Sequence, residues 1–177
     1  VPLNVPEQEM LAGHLGKPLH AIPDPFGEYD SFSAHNNARL CEFLDRYGFD
    51  YEFKSATDAY RAGEFDDGLR VLLQNVDEVL GVILPTMREE NREGWSPFFP
   101  ICEHCGSINA TRVTAYHPER DSVSYECVGD GGSASGCRHT GERTILGGNA
   151  KVGWKIDWAL RWWSYDVDYE MSGKDLT

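Results

Sequence analysis

Cys102-Glu103-His104-Cys105-Gly106 is the stretch on which the reading of this 177-residue chain turns. The two-residue gap lets both sulfurs of a tight turn face a single ion, and Gly106 permits the turn that aims backbone N–H groups at the thiolates. Cys127 and Cys137 follow, after 21 and then 9 intervening residues. Val113 to Tyr116 and Val123 to Cys127 fit a hairpin around His117-Pro118-Glu119-Arg120-Asp121, which would bring the late pair to the early one. Tetrahedral zinc held by Cys102, Cys105, Cys127 and Cys137 is the expectation. His139 in place of Cys137, His104 as a ligand, and no metal at all are the alternatives. A closed four-ligand site is structural, with no open position for catalysis. A segment of this size buries little core alone, so the metal would supply its folding energy.

Outward from this centre the chain changes character. Residues 99–148 are Gly-rich with short strands and no helical period, and Gly147-Gly148 closes them. They carry four Arg, no Lys and six acidic residues, which is no basic nucleic-acid patch. Before them, Pro2, Pro6, Pro18, Pro23 and Pro25 break up the start and leave room for a short helix near 7–14. A helix from about Asn36 carries Leu40, Phe43, Leu44 and Tyr47 and stops at Gly48. Tyr51-Glu52-Phe53-Lys54-Ser55 reads as a strand, and Thr57 or Asp58 as the cap of the turn that follows. Leu69, Leu72, Leu73, Val76, Val79, Leu80 and Ile83 form the stripe of one long helix from Asp66 to Pro85. Trp95 to Pro100 is a connection. After the ribbon, Asp157 starts a last helix to about Ser164, and residues 167–171 form a strand. This order suits an α/β sheet with a small inserted domain: 1–98, the 99–148 insertion, and 149–177 returning to the sheet.

Composition bounds the function. With 29 acidic against 16 basic residues the net charge is −13, so the surface repels a phosphate backbone on average. No apolar run reaches the roughly 18–20 residues of a membrane span, and the start lacks the features of a signal peptide. Five cysteines, an odd number, with one Cys-x-x-Cys argue for metal binding in a reducing, cytoplasmic compartment rather than a disulfide framework. Cys41 lies on a helical stripe and reads as a small buried apolar residue.

Gly153-Trp154-Lys155-Ile156-Asp157-Trp158-Ala159-Leu160-Arg161-Trp162, then Val167-Asp168-Tyr169-Glu170-Met171 and Gly173-Lys174-Asp175-Leu176, resemble class I lysyl-tRNA synthetases. Leu15-Gly16-Lys17-Pro18-Leu19, Ile22-Pro23-Asp24-Pro25, His35-Asn36-Asn37-Ala38-Arg39-Leu40, Gly48-Phe49-Asp50-Tyr51-Glu52-Phe53 and Leu84-Pro85-Thr86 agree, so the resemblance covers nearly the whole chain. It implies a Rossmann-type catalytic core that activates L-lysine with ATP and Mg and transfers it to tRNA(Lys). The family's His-x-Gly-His-like and Lys-Met-Ser-Lys-Ser-like motifs are both absent. The chain is therefore expected to be an internal fragment, inactive alone, with no catalytic residue of its own.

Trp154, just ahead of the Asp157-capped helix, is expected to form an aromatic wall for the lysine side chain, with Trp158 either joining it or packing in the core. Gly173 and Asp175 are either a polar strand exit or, as the resemblance implies, substrate contacts where Asp175 accepts from the ribose or the α-amino group. Trp162 and Trp163 are expected in the core. The family also implies the four-cysteine zinc site and a second one. For the second, Asp24 and His35 stand at matching positions, but Glu28 and Tyr29 replace a Cys and a His. Asp24 and His35 are thus either a degenerate metal site or a hydrogen-bonded pair. Another class I synthetase and a free-standing, non-catalytic zinc-ribbon module are the rival readings.

Overall fold

The computed structural model describes residues 4–129 and 135–168. Among the described residues of the proline-rich start, the one α-helix is the short α1 (Gln8–Ala12), followed by a 3-10 turn at Leu19–Ala21. Helix α2 (Phe32–Arg46) begins four residues before the expected Asn36, because the Ser31 hydroxyl accepts from the Ala34 N–H and caps it. Its expected apolar stripe does not enter the core. Leu40, Phe43 and Tyr47 are 50%, 54% and 65% exposed, with Phe43 and Tyr47 touching only at ring-centroid distance 4.8 Å.

Residues 51–55 are not a strand. No backbone–backbone hydrogen bond joins residues 51–54 to any described residue, and a strand exists only against a neighbour. Ser55, rather than Thr57 or Asp58, caps α3 (Ala56–Ala62) by accepting from the Asp58 N–H. The expected long helix is two, α4 (Asp66–Gln74) and α5 (Val76–Ile83). They part at Asn75 (φ −119°, ψ 35°), whose side-chain amide donates back to the Val71 carbonyl, a local bond that competes with the helix ladder.

The strands are β1 (Phe98–Pro100), β2 (Thr111–His117), β3 (Ser122–Cys127), β4 (Thr140–Thr144) and β5 (Ala150–Val152). The expected β2–β3 hairpin is present and β4 extends it to an antiparallel three-stranded meander. β1 and β5 pair antiparallel, Phe98 opposite Val152, so the chain enters and leaves residues 101–149 at one point. The architecture is mixed α/β with two small sheets. All strand pairs among the described residues are antiparallel.

Helix α6 (Trp154–Tyr165) starts one turn before the expected Asp157, directly after Gly153. Ile156 and Leu160, four apart, face inward. That phase turns Trp162 and Trp163 outward, 49% and 59% exposed, against the expectation of a core role. Trp163 still covers Gly68 of α4, where a Cβ would lie 2.7 Å from its ring. Asp166 closes the helix at φ 50°. Val167 and Asp168 are not in a strand; the rest of the expected 167–171 strand lies outside the described residues.

One core joins Tyr60, Phe65, Leu69 and Leu73 to Phe98, Val123, Ile145, Val152, Ile156 and Leu160. The meander thus shares its lower half with the helices, and Arg70 of α4 donates to Asp121 at the β2–β3 turn, 3.0 Å away. A second, smaller core at the other end of the meander holds Cys102, Ala110, Tyr125 and Cys127. No helix among the described residues is long and apolar enough to cross a membrane.

Candidate metal centre

The Cys102–Cys105 turn closes on itself through Gly106 N–H to the Cys102 carbonyl, with Gly106 at φ 74°. Its back is fixed by the Leu15–Pro18 block: the Gly16 carbonyl accepts from Ile108 N–H, Asn109 N–H and the Ser107 hydroxyl. Tyr125 of β3 accepts from the Glu103 N–H through its phenol oxygen at 3.1 Å. Cys127 ends β3, and Gly136 lets the returning chain pass over it. A Cβ on Gly136 would sit 2.3 Å from the Cys127 carbonyl oxygen and 2.4 Å from the Val128 backbone. Residue types alone could not flag this glycine, since the close approach is made by the fold.

The four sulfurs lie within 4.8 Å of one another, and Cys102–Cys137 and Cys105–Cys127 are each 3.7 Å apart. Thiolates about 2.3 Å from a tetrahedral ion would have sulfur–sulfur edges of about 3.8 Å. Two edges match that length, and the other sulfurs lie near enough to close on such an ion. Electrostatics agree. Burial pushes the Cys127 thiol up to about 12 and the Cys105 thiol up as well. Burial also opposes ionisation of Cys102, but the N–H groups of Cys105 and His104 and the neighbouring thiols outweigh it and hold Cys102 at about 7. One thiolate is comfortable here and four are not, unless a cation sits among them.

Neither histidine alternative joins this cluster. The His139 Nε2 pairs with Glu103 at 2.8 Å, and the His104 ring stacks on His139 at 5.9 Å, outside the sulfurs.

On the other side of the β1–β5 pair, Trp154 lies at the mouth of a cleft of ≈ 210 Å³ walled by Ile83, Met87, Trp95 and Phe99. Trp158 meets it edge-on at 4.6 Å. Lys155 donates to the Thr86 hydroxyl at 3.0 Å and its Nζ is 5.5 Å from the Trp154 ring centre. No carboxylate lines the cleft among the described residues. Gly173 and Asp175 lie outside the described residues.

A family model for class I tRNA synthetases (K) matches residues 1–177. The chain belongs to this family. Relatives include lysine–tRNA ligases of Rickettsia typhi, 43% identical, Rickettsia felis, 42%, and Rickettsia prowazekii, 41%, each over 175 residues. The alignments cover 99% of this chain and 32% of each relative, so the chain spans about a third of the length of the curated relatives it matches.

In this class I (K) synthetase chain, Asp24 and His35 are buried and meet at 3.1 Å, His35 Nδ1 to Asp24 Oδ2. Asp24 also accepts from the N–H groups of Phe26, Glu28 and Tyr29 at 2.9–3.1 Å. Burial alone would raise its carboxyl, but these backbone donors and His35 hold it below the ordinary value. His35 stacks on Phe26 at 4.4 Å and meets Tyr29 edge-on at 5.5 Å. Glu28 turns away to Arg39 and leaves its oxygen 3.8 Å from His35. The two residues form a hydrogen-bonded pair, and the aromatic Tyr29 packs where the family pattern has a histidine.

Proposed function

We infer that this chain is the metal-bearing middle part of a lysine–tRNA ligase, an enzyme that activates L-lysine with ATP and Mg and transfers it to tRNA(Lys). The observation carrying this reading is the match at 41–43% identity over 99% of the chain to proteins named lysine–tRNA ligase. Activation is in-line attack of the lysine carboxylate on the α-phosphorus, which needs positioning and charge stabilisation rather than a protein nucleophile.

Two features support a place in a larger Rossmann-type core. Leu40, Phe43 and Tyr47 of α2, and Phe49 and Phe53 after it, are exposed apolar side chains close in sequence, of the kind that dock on another part of a protein. Beside it, residues 51–54 make no backbone–backbone hydrogen bond with any described residue. Both would be satisfied against the remaining length that the relatives possess. In this reading 1–98 and 149–177 belong to the core and 99–148 is the inserted ribbon. Zinc is the ion that suits four thiolates in a closed tetrahedron, and its role is structural.

Trp154 and Trp158 wall the lysine side chain, and Gly173 and Asp175 approach the nucleotide or the α-amino group. The apolar cleft fits methylenes, and the half-exposed Trp154 ring offers its face to the ammonium. The test is lysine-dependent pyrophosphate exchange and tRNA(Lys) charging by the full-length parent. A parent that activates a different amino acid refutes the reading.

A further inference from the structure

Helices α4, α5 and α6 enclose a second hollow, away from the cysteine cluster. Val79, Val82 and Ile83 share one face of α5, and Ile156 and Ala159, three apart, share one face of α6. With Leu72 of α4 they line a groove of ≈ 290 Å³. Its floor is finished: Leu72, Val79 and Ile83 pack on the main core, to which Ile156 belongs. Its open side is not, for Val82 is 70% exposed. Of the residues lining the groove only Glu78 and Lys155 carry charge, and Lys155 is held by the Thr86 hydroxyl. A concave apolar surface of this kind is a place where another apolar surface docks.

Charge decides what kind of partner fits. Asp66 and Asp67 open α4, and Asp77 and Glu78 open α5. Arg70 is the one basic residue of the two helices, and Asp67 and Asp121 already engage it. Such a surround repels the phosphates of RNA or of an anionic membrane and suits a protein segment. Length decides between a second copy and the same polypeptide. Since 32% of each curated relative is covered, those proteins are about three times as long as the matched stretch. A segment tethered by a short flexible linker meets the groove at an effective concentration in the mM range, which a free second copy does not reach.

We propose that the groove is an intramolecular interface, filled by an apolar, uncharged face of the parent polypeptide from outside residues 1–177. The proposal rests on the reading of this chain as part of a longer synthetase, though not on which amino acid that synthetase activates. Ile83, Lys155 and Ile156 line both the groove and the Trp154 cleft, so the docked segment shares a wall with that cleft.

The test uses the full-length parent with a diazirine analogue of leucine, close to valine in size, in place of Val82. After irradiation, the expected product runs at monomer mass on a denaturing gel. Peptide mass spectrometry should find position 82 joined to a peptide from outside residues 1–177. A product of doubled mass, a nucleic-acid adduct, or adducts confined to residues 1–177 and water overturn the proposal. Val82→Asp is the second arm, since it sets a carboxylate under the docked segment. Hydrogen exchange of the crosslinked peptide and of α5 should rise about tenfold or more, with Ser122 to Ser124 of the meander unchanged. A charge at an open surface position is harmless, so unchanged exchange everywhere also overturns the interface. If Ser122 to Ser124 lose protection too, the variant has unfolded generally and the crosslink decides. Neither readout needs activity. A parent that activates another amino acid leaves both valid, and a parent that charges tRNA(Lys) without the crosslink refutes the groove alone.

Discussion

Stripping the metal from Cys102, Cys105, Cys127 and Cys137 should melt one end of the meander and leave the other standing. The metal end has little else to hold it. Its core beyond the cysteines is Ala110 and Tyr125, and burying such side chains contributes only about 2–3 kcal/mol in total. Ordering the backbone there opposes this small gain. Structural zinc in small domains contributes about 10–16 kcal/mol. Loss of even about 4 kcal/mol of this would raise local opening about 1,000-fold.

The opposite end is fixed by Val123 and Ile145 in the main core and by Arg70 on Asp121. Hydrogen exchange with and without a chelator is the assay. The amides of Cys102, Gly106, Val128 and Arg138, all hydrogen-bonded around the cluster, should lose protection. Those of Ser122 to Ser124 and of β5 should change little. Uniform loss across the whole chain, or unchanged protection at Cys102 to Ala110, would refute the partition. Elemental analysis should find about one zinc per chain beforehand, and none would refute the metal itself.

Gly136→Ala should weaken metal retention, because its Cβ would overlap the Cys127 carbonyl and Val128 backbone; faster zinc release to a chelator checks this. Trp154→Ala in the full-length parent should raise the lysine KM about 5–30-fold, equivalent to about 1–2 kcal/mol, with a smaller effect on ATP. Trp163→Ala should instead lower the melting temperature and spare the lysine KM. Glu142 is held down to about 2 by Arg120 and the Ser122 hydroxyl, against an ordinary value of 4.5. Its contribution is present above pH 4.5 and lost as pH falls toward 2, so the stability gap between wild type and Glu142→Gln should close across that window. The 177-residue chain alone should give no lysine-dependent pyrophosphate exchange, since both phosphate-binding motifs are absent from it.

Local chemistry was the legible part of this sequence. Cys-x-x-Cys spacing, the β2–β3 hairpin and the phase of Leu69 and Leu73 depend on near neighbours, and the structure places them as expected. Features set by distant partners were not legible. The α2 stripe has helical period but faces solvent, and residues 51–55 have strand composition without a strand to pair with. β1 and β5, three residues each, are too short for their pattern to announce a strand, being defined by each other. Asn75 is a helix-compatible residue whose back-bond to Val71 decides the break. At Asp24 the residue types left a ligand and a hydrogen-bonded pair open, and they gave no sign of the three backbone N–H donors that meet its carboxylate beside His35.

That last arrangement changes what the 24–35 loop responds to. A loop tied by a coordinated ion fails when the ion becomes scarce, and its order tracks the supply of that element in the cell. Here hydrogen bonds from three backbone N–H groups and His35 converge on one carboxylate. Asp24 binds its donors as an anion with a depressed proton affinity, so the loop should loosen only as acid protonates it. The order of this corner should therefore follow acidity through the protonation of a single side chain.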